Sequence, residues 1–141
     1  MKQRHSYSDL HFHIVFTTWK RVGLILDSER EDFLKKVIVA KAHEMDAWLD
    51  GFGTWEDHVH LVIRTSPTIS IEKLIHDIKG ATAWLWNKEH KEKWGFLKWQ
   101  DGYWVVSASP DSLKPVVEYA NNQRIHHGGG SLRKEWEPLP E

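Results

Sequence analysis

Two histidines separated by one apolar residue, His58 and His60, are the first side chains in this sequence that could bind a metal together. In an extended segment, side chains at positions i and i+2 point to the same side of the strand. Two imidazole nitrogens on one side can bind one divalent cation. His11 and His13 have the same spacing, so spacing alone leaves open which pair binds a metal, and adjacent strands could bring all four imidazoles together.

Tyr119 and Gln123 could supply the other groups that phosphodiester chemistry needs. In a helix, side chains at i and i+4 share one side, so one helix can present a phenolic nucleophile and an amide ligand together. Cleavage of a phosphodiester through a covalent tyrosine needs this combination. Periodicity alone favours a simpler interpretation, an amphipathic helix whose tyrosine packs by its ring and whose glutamine is solvated.

Other enzymes also use a His-hydrophobe-His motif, and two such classes lose support here. Histidine-triad nucleotide hydrolases need a third histidine two residues after the second, where this chain has Val62. Two-histidine phosphodiesterases need a second element of the type His-x-Thr, and the sequence offers no convincing partner.

The elements that must position these groups follow from hydrophobic periodicity and from capping residues. Strands are predicted at 8–18, 47–54, 57–65 and within 97–108, and helices at about 28–46, 70–90 and 110–126. Ser28 and Glu31 have the spacing of a capping box, and Ser70 is a predicted N-cap. The order β-α-β-β-α-β predicts a ferredoxin-like α+β fold, an antiparallel sheet with helices on one face, followed by a C-terminal helix that carries Tyr119.

Composition limits the class of protein and the ligands available to it. The chain has 40% hydrophobic and 28% charged residues, as expected of a globular protein, and we predict one domain at 1–127 and a tail at 128–141. It has no cysteine, so a metal must be bound by histidine, carboxylate or amide groups. No segment resembles a signal peptide or a membrane span, and we therefore expect a cytoplasmic protein.

Charge and aromatic content bear on nucleic-acid binding. A net charge of −1 is lower than expected of a protein that binds duplexes mainly by neutralising phosphates. A local basic groove is still compatible with the sequence, and its candidate residues are Lys20, Arg21, Arg64, Lys73, Lys79 and Arg124. Nine tryptophans could stack on unpaired bases, although a place in the core is the simpler expectation for any one of them.

The sequence resembles the single-domain tyrosine transposases of the insertion-sequence-200/605 group along nearly its whole length. The segments that resemble the family's opening strand, metal-binding strand, second helix, following strand and catalytic helix are LHFHIVFTTWKR, DHVHLVI, LIHDIKGATAWLWNK, WQDGYWVVSAS and VVEYANNQRIHH. The most specific pieces are His-Val-His and Tyr-x-x-x-Gln, in this order and at this separation.

This resemblance implies roles that spacing could not assign. Carried over by position, it makes Tyr119 the nucleophile and His58, His60 and Gln123 the ligands of a divalent metal, with Mg²⁺ expected and Mn²⁺ as the alternative. It gives the pair at positions 11 and 13 a structural or supporting role. The general base stays open between a metal-bound water and a nearby histidine such as His126.

The same resemblance implies a transposase that cleaves and rejoins single-stranded DNA at insertion-sequence ends through a 5′-phosphotyrosine, recognises DNA hairpins and works as a homodimer. Phosphate contacts would come from Lys20, Arg21, Arg64, Lys79 and Arg124. One rival is a domesticated or inactive relative that binds hairpin nucleic acid. Another is a small ferredoxin-like interaction or metal-binding protein with incidental histidines, in which Tyr119 would lie far from the histidine pair.

Overall fold

A computed structural model describes residues 7–129 of the 141-residue chain. The strands are β1 (Leu10–Thr17), β2 (Ala47–Trp55), β3 (His58–Thr65) and β4 (Trp104–Ser107). The helices are α1 (Ser28–Glu44), α2 (Ile71–Trp94), α3 (Pro110–Asn121) and α4 (Gln123–Gly129). The predicted tail lies outside the described residues from position 130 onward, so the division at residue 127 stays a prediction.

The four strands form one antiparallel sheet in the order β2-β3-β1-β4. Alternation along β1 and β3 sends Ile14, Leu61 and Ile63 to one face, where they pack with Leu34 of α1 and Ile78 of α2 in the main core. These side chains are fully buried. The predicted α+β ferredoxin-like fold is confirmed. No helix within residues 7–129 is long and apolar enough to cross a membrane.

The opposite face of the sheet is covered by α3, which packs Val116 and Ala120 against Val62 of β3. Gly53 of β2 permits this packing, since a Cβ atom there would lie 1.6 Å from the carbonyl oxygen of Ala120. The helix backbone therefore approaches the strand more closely than any side chain would allow. This contact places Tyr119 above the strand that carries the histidine pair.

Two helix starts show how local chemistry sets the boundaries. Ser70 caps α2 by accepting a hydrogen bond from the N–H of Lys73 (3.1 Å), as predicted. The predicted capping box at Ser28 is wrong, because Asp27 is the N-cap of α1 and accepts from the N–H of Arg30 (2.9 Å). With Asp27 as the cap, the carboxylate of Glu31 is engaged elsewhere, by the hydroxyl of Thr54.

The predicted single C-terminal helix is wrong, because it is divided at Asn122. Asn122 leaves the helical conformation (φ −109°, ψ 30°), and its side-chain amide donates to the carbonyl of Glu118 at 2.8 Å. A side chain that bonds the backbone in this way competes with the next helical turn. As a result Tyr119 belongs to α3, and Gln123 is the first residue of α4.

Candidate metal and nucleophile site

His58 and His60 lie on the face of β3 that turns away from the main core, as the alternation of the strand predicts. Both are almost fully buried, because α3 and α4 cover this face. In the sheet register, His58 is opposite Thr17 and His60 is opposite Val15 of β1. Because β3 lies between β2 and β1, the histidine pair is held in the interior of the sheet by two hydrogen-bonded strands.

A third imidazole, that of His127 on α4, joins this pair. One ring nitrogen from each of His58, His60 and His127 lies within 4.8 Å of the others. Nitrogen ligands of a tetrahedral ion sit about 2.1 Å from the metal and so about 3.4 Å apart. Small side-chain movements would therefore bring all three rings onto one cation.

Asp57 fixes the ring of His58. Its carboxylate lies 2.7 Å from Nδ1 of His58 and accepts a hydrogen bond from Nε of Arg21 (3.0 Å). Burial by itself raises the pKa of Asp57, but the hydrogen bonds and charges of His58 and Arg21 outweigh it and hold the pKa below its ordinary value. A carboxylate on one ring nitrogen is the usual partner of a metal-binding histidine.

The two histidines of β1 have different surroundings. Nε2 of His13 lies 2.9 Å from Nδ1 of His60, and its ring packs edge-on against Trp104. His11 instead lies between two carboxylates, with Nε2 2.6 Å from Asp9 and Nδ1 3.1 Å from Asp50. His13 is thus in contact with the proposed metal-binding histidines through His60, while His11 contacts two carboxylates.

Tyr119 and Gln123 approach the same cluster from the helices. The ring of Tyr119, which is 3% exposed, lies 6.0 Å from the ring of His60. The buried Gln123 donates through Nε2 to the carbonyl of Tyr119 (3.0 Å), and its Oε1 lies 3.1 Å from Nε2 of His127. This convergence within one chain contradicts the interpretation in which Tyr119 and the histidine pair are far apart.

The predicted DNA-contacting residues do not form one groove. Lys20 and Arg21 follow the end of β1, where Arg21 donates to Asp57. Both have positive φ (55° and 56°), a conformation that is uncommon for residues other than glycine. Arg64 lies at the other end of β3, with its guanidinium 5.2 Å from the ring of Trp48. Of these three residues, Arg21 is connected to the histidine pair, because its partner Asp57 also contacts His58.

The other two predicted contacts are engaged within the chain. Lys79 donates to the carbonyls of Gln100 (2.7 Å) and Gly102 (2.9 Å), and burial lowers its pKa. Arg124 donates to the carbonyl of Ile25 (2.6 Å). The side chain of His126, the candidate base, lies outside what the structure describes.

The chain matches the family of IS200-like transposases over residues 6–123. The chain belongs to this family. The matched segment contains Tyr119 and Gln123 together with the His58–His60 motif, and it ends before His127. His127, which sequence reasoning missed, therefore lies after the segment that matches the IS200-like transposase family. Its spacing could have indicated it, because a histidine four residues after Gln123 lies on the same side of a helix.

Several known proteins are similar to this IS200-like transposase. The ISDra2 transposase TnpA of Deinococcus radiodurans is 26% identical over 128 residues, which cover 87% of this chain and 91% of the relative. A crystal structure of a proposed transposase from the same organism has a TM-score of 0.69 at 24% identity, covering 87% of this chain and 97% of the other. A REP-associated tyrosine transposase bound to a REP hairpin has a TM-score of 0.65 at 13% identity, covering 91% of this chain and 74% of the other. The two structures support the fold.

Proposed function

We propose that this transposase cleaves and rejoins single-stranded DNA at insertion-sequence ends, with Tyr119 as nucleophile and a divalent cation bound by His58 and His60. The observation that carries the proposal is the contact of one imidazole, His60, with both halves of the site. Its ring faces Tyr119 at 6.0 Å and His58 at 5.2 Å between centroids. A phosphate beside His60 would therefore be within reach of the phenol and of the cation.

The donor set fits a divalent cation, since nitrogens of three imidazoles lie within 4.8 Å of one another and the amide oxygen of Gln123 lies 3.1 Å from one of them. We assign the third ligand for Mg²⁺ or Mn²⁺ to Oε1 of Gln123, because these ions favour oxygen donors. His127 orients that amide in the metal-free protein, and it offers a third nitrogen to ions that favour imidazole, such as Zn²⁺. When bound, the cation would polarise the scissile phosphate and offset charge in the transition state.

In the proposed reaction the Tyr119 oxygen forms a bond to phosphorus and loses its proton. The bond from phosphorus to the 3′ oxygen breaks, and that oxygen takes up a proton to become a free 3′-hydroxyl. The product is a 5′-phosphotyrosine, whose phosphodiester is retained, so attack by another 3′-hydroxyl reverses the step and joins DNA without ATP.

The DNA partner we propose is a single strand with hairpin ends, bound by a homodimer. The structure bound to a REP hairpin has the same fold, which is the basis for the hairpin. Arg21, whose partner Asp57 contacts His58, and the neighbouring Lys20 could contact the cleaved strand. Exposed rings of Trp84, Phe96 and Tyr103 also line a groove of about 940 Å³ beside α2, together with Lys73, and could stack unpaired bases.

A cleavage assay tests the proposal against the rival of an inactive hairpin-binding relative. Labelled single-stranded DNA from the ends of the encoding element, incubated with Mg²⁺, should give a covalent adduct that survives denaturation. Tyr119→Phe should bind the DNA without forming adduct, while Tyr7→Phe, a control at an exposed tyrosine, should form it normally. Hairpin binding without adduct in the wild-type protein would favour the inactive relative.

A further inference from the structure

The short helix α4 has no apolar anchor of its own. It spans seven residues, and Ile125, its one large aliphatic side chain, is 66% exposed. Isolated helices of this length are unstable in water, so tertiary contacts must hold α4 in place. Yet α4 carries Gln123 and His127, two of the groups that face the histidine pair.

Arg124 makes polar contacts that attach α4 to three other parts of the chain. Its Nη2 donates to the carbonyl of Ile25 (2.6 Å) and to the hydroxyl of Thr54 (3.1 Å). Its Nε lies 3.6 Å from the carboxylate of Glu31, which also accepts the hydrogen bond of Thr54. One guanidinium thus links α4 to the loop before α1, to α1 and to β2.

Trp55 connects this attachment to the metal site. The guanidinium carbon of Arg124 lies 5.7 Å from the Trp55 ring, and His127 stacks on the same ring at 5.1 Å with an interplanar angle of 8°. Trp55 is the partner of His58 in the β2–β3 register. A shift of Arg124 would therefore move the surface on which His127 rests.

We infer that Arg124 is a positioning residue that holds α4 so that Gln123 and His127 face His58 and His60. This inference rests on the proposed metal site. It replaces the predicted phosphate contact of Arg124, whose side chain is only one-third exposed and is directed at its own chain. An arginine suits the role because its planar fork makes several directed hydrogen bonds, which a lysine cannot reproduce.

Arg30 is a matched control for Arg124. Each is a partly buried arginine that donates to a carbonyl of the same loop, Arg30 to Leu24 (3.1 Å) and Arg124 to Ile25. Each guanidinium also lies against a tryptophan ring, at 5.8 Å for Arg30. Only Arg124 belongs to α4, so a general loosening of the loop would affect both variants equally.

Titration of the metal-free protein with Co²⁺, followed by visible absorption, tests the inference without an activity measurement. Arg124→Ala should weaken Co²⁺ binding about tenfold, as loss of supporting contacts around metal ligands does, and should alter the spectrum. Arg124→Lys should recover part of the loss, and Arg30→Ala should match the wild type. Glu31→Gln, a milder change should Arg124→Ala fail to fold, should weaken binding about threefold.

Two results would overturn the inference alone: binding by Arg124→Ala and Glu31→Gln as tight as in the wild type, or equal losses in Arg124→Ala and Arg30→Ala. A wild-type protein that binds no Co²⁺ would reject the proposed metal site, and the inference with it. Because the titration is independent of adduct formation, failure of the positioning role is distinguishable from failure of the proposed reaction.

Discussion

Nε2 of His13 lies 2.9 Å from Nδ1 of His60, in a fully buried contact between neighbouring strands. One nitrogen of His60 is thereby occupied by a histidine, as one nitrogen of His58 is occupied by Asp57. In both rings, Nε2 is then the atom we assign to the cation. The two proposed ligands of β3 are thus each oriented by a partner on the far side of the ring.

Replacing His13 should weaken metal binding although it is not a proposed ligand. For His13→Ala we expect a ten- to hundredfold loss of Mn²⁺ affinity, because the ring of His60 loses its orientation. His11→Ala is the matched control, since it removes a buried histidine of the same strand whose partners are Asp9 and Asp50. Calorimetric titration measures both, and equal losses would show that the effect is only that of a disturbed strand.

The third ligand can be identified by comparing ions. Gln123→Ala should weaken Mn²⁺ binding about tenfold, while His127→Ala should leave it within about threefold. For Zn²⁺, His127→Ala should cause the larger loss, because three imidazoles suit this ion. A loss of Mn²⁺ affinity in His127→Ala as large as that in Gln123→Ala would make the imidazole a direct ligand of the catalytic ion.

Gly53 should be intolerant of any side chain. In Gly53→Ala the new Cβ would lie 1.6 Å from the carbonyl oxygen of Ala120, so α3 must move away. We expect a loss of about 3 kcal/mol in the free energy of unfolding, together with weaker metal binding. Gly80→Ala is the control: no atom lies within 4 Å of the new Cβ, and alanine in this helix should stabilise by about 0.5–1 kcal/mol. Urea denaturation measures both, and an unaffected Gly53→Ala would contradict the close packing of α3.

The sequence predicted those parts of this structure that depend on local pattern. Alternation in β3 placed His58 and His60 together on one face, and Ser70 marked the start of α2. Other features depend on contacts between distant residues. The break at Asn122 belongs to a segment packed on Gly53, and helical periodicity carries no signal of it.

The site residues show the same limit. Arg124 looked like an exposed cation, because its partners Glu31 and Thr54 lie 93 and 70 positions earlier in the sequence. His127 lay outside the family motif, and its role depends on where α4 packs. Residue type and spacing could identify candidates on each strand and helix, but the packing of α3 and α4 on the sheet brings them together.

Asp57 should make the stability of the metal-free protein depend on pH in a defined direction. Its pKa in the folded protein is below the ordinary value of 3.8, so the folded state binds the proton less readily than the unfolded chain. Its stabilising contribution is therefore fully present above pH 3.8 and is lost as the pH falls through the lowered pKa. Urea denaturation of the wild type and Asp57→Asn from pH 7 to pH 3 should show a difference that shrinks below about pH 4. A difference independent of pH would contradict this.

Identifying the residue that becomes covalently linked to DNA tests the role of Tyr119 most directly. The chain has three tyrosines, and cleavage of the adduct before Asp111 separates Tyr119 from Tyr103 and Tyr7. After nuclease digestion, mass spectrometry should find the nucleotide remnant on Tyr119, and Tyr119→Phe should give no remnant at any position. A remnant on Tyr7 or Tyr103, or undiminished adduct in Tyr119→Phe, would contradict the assignment.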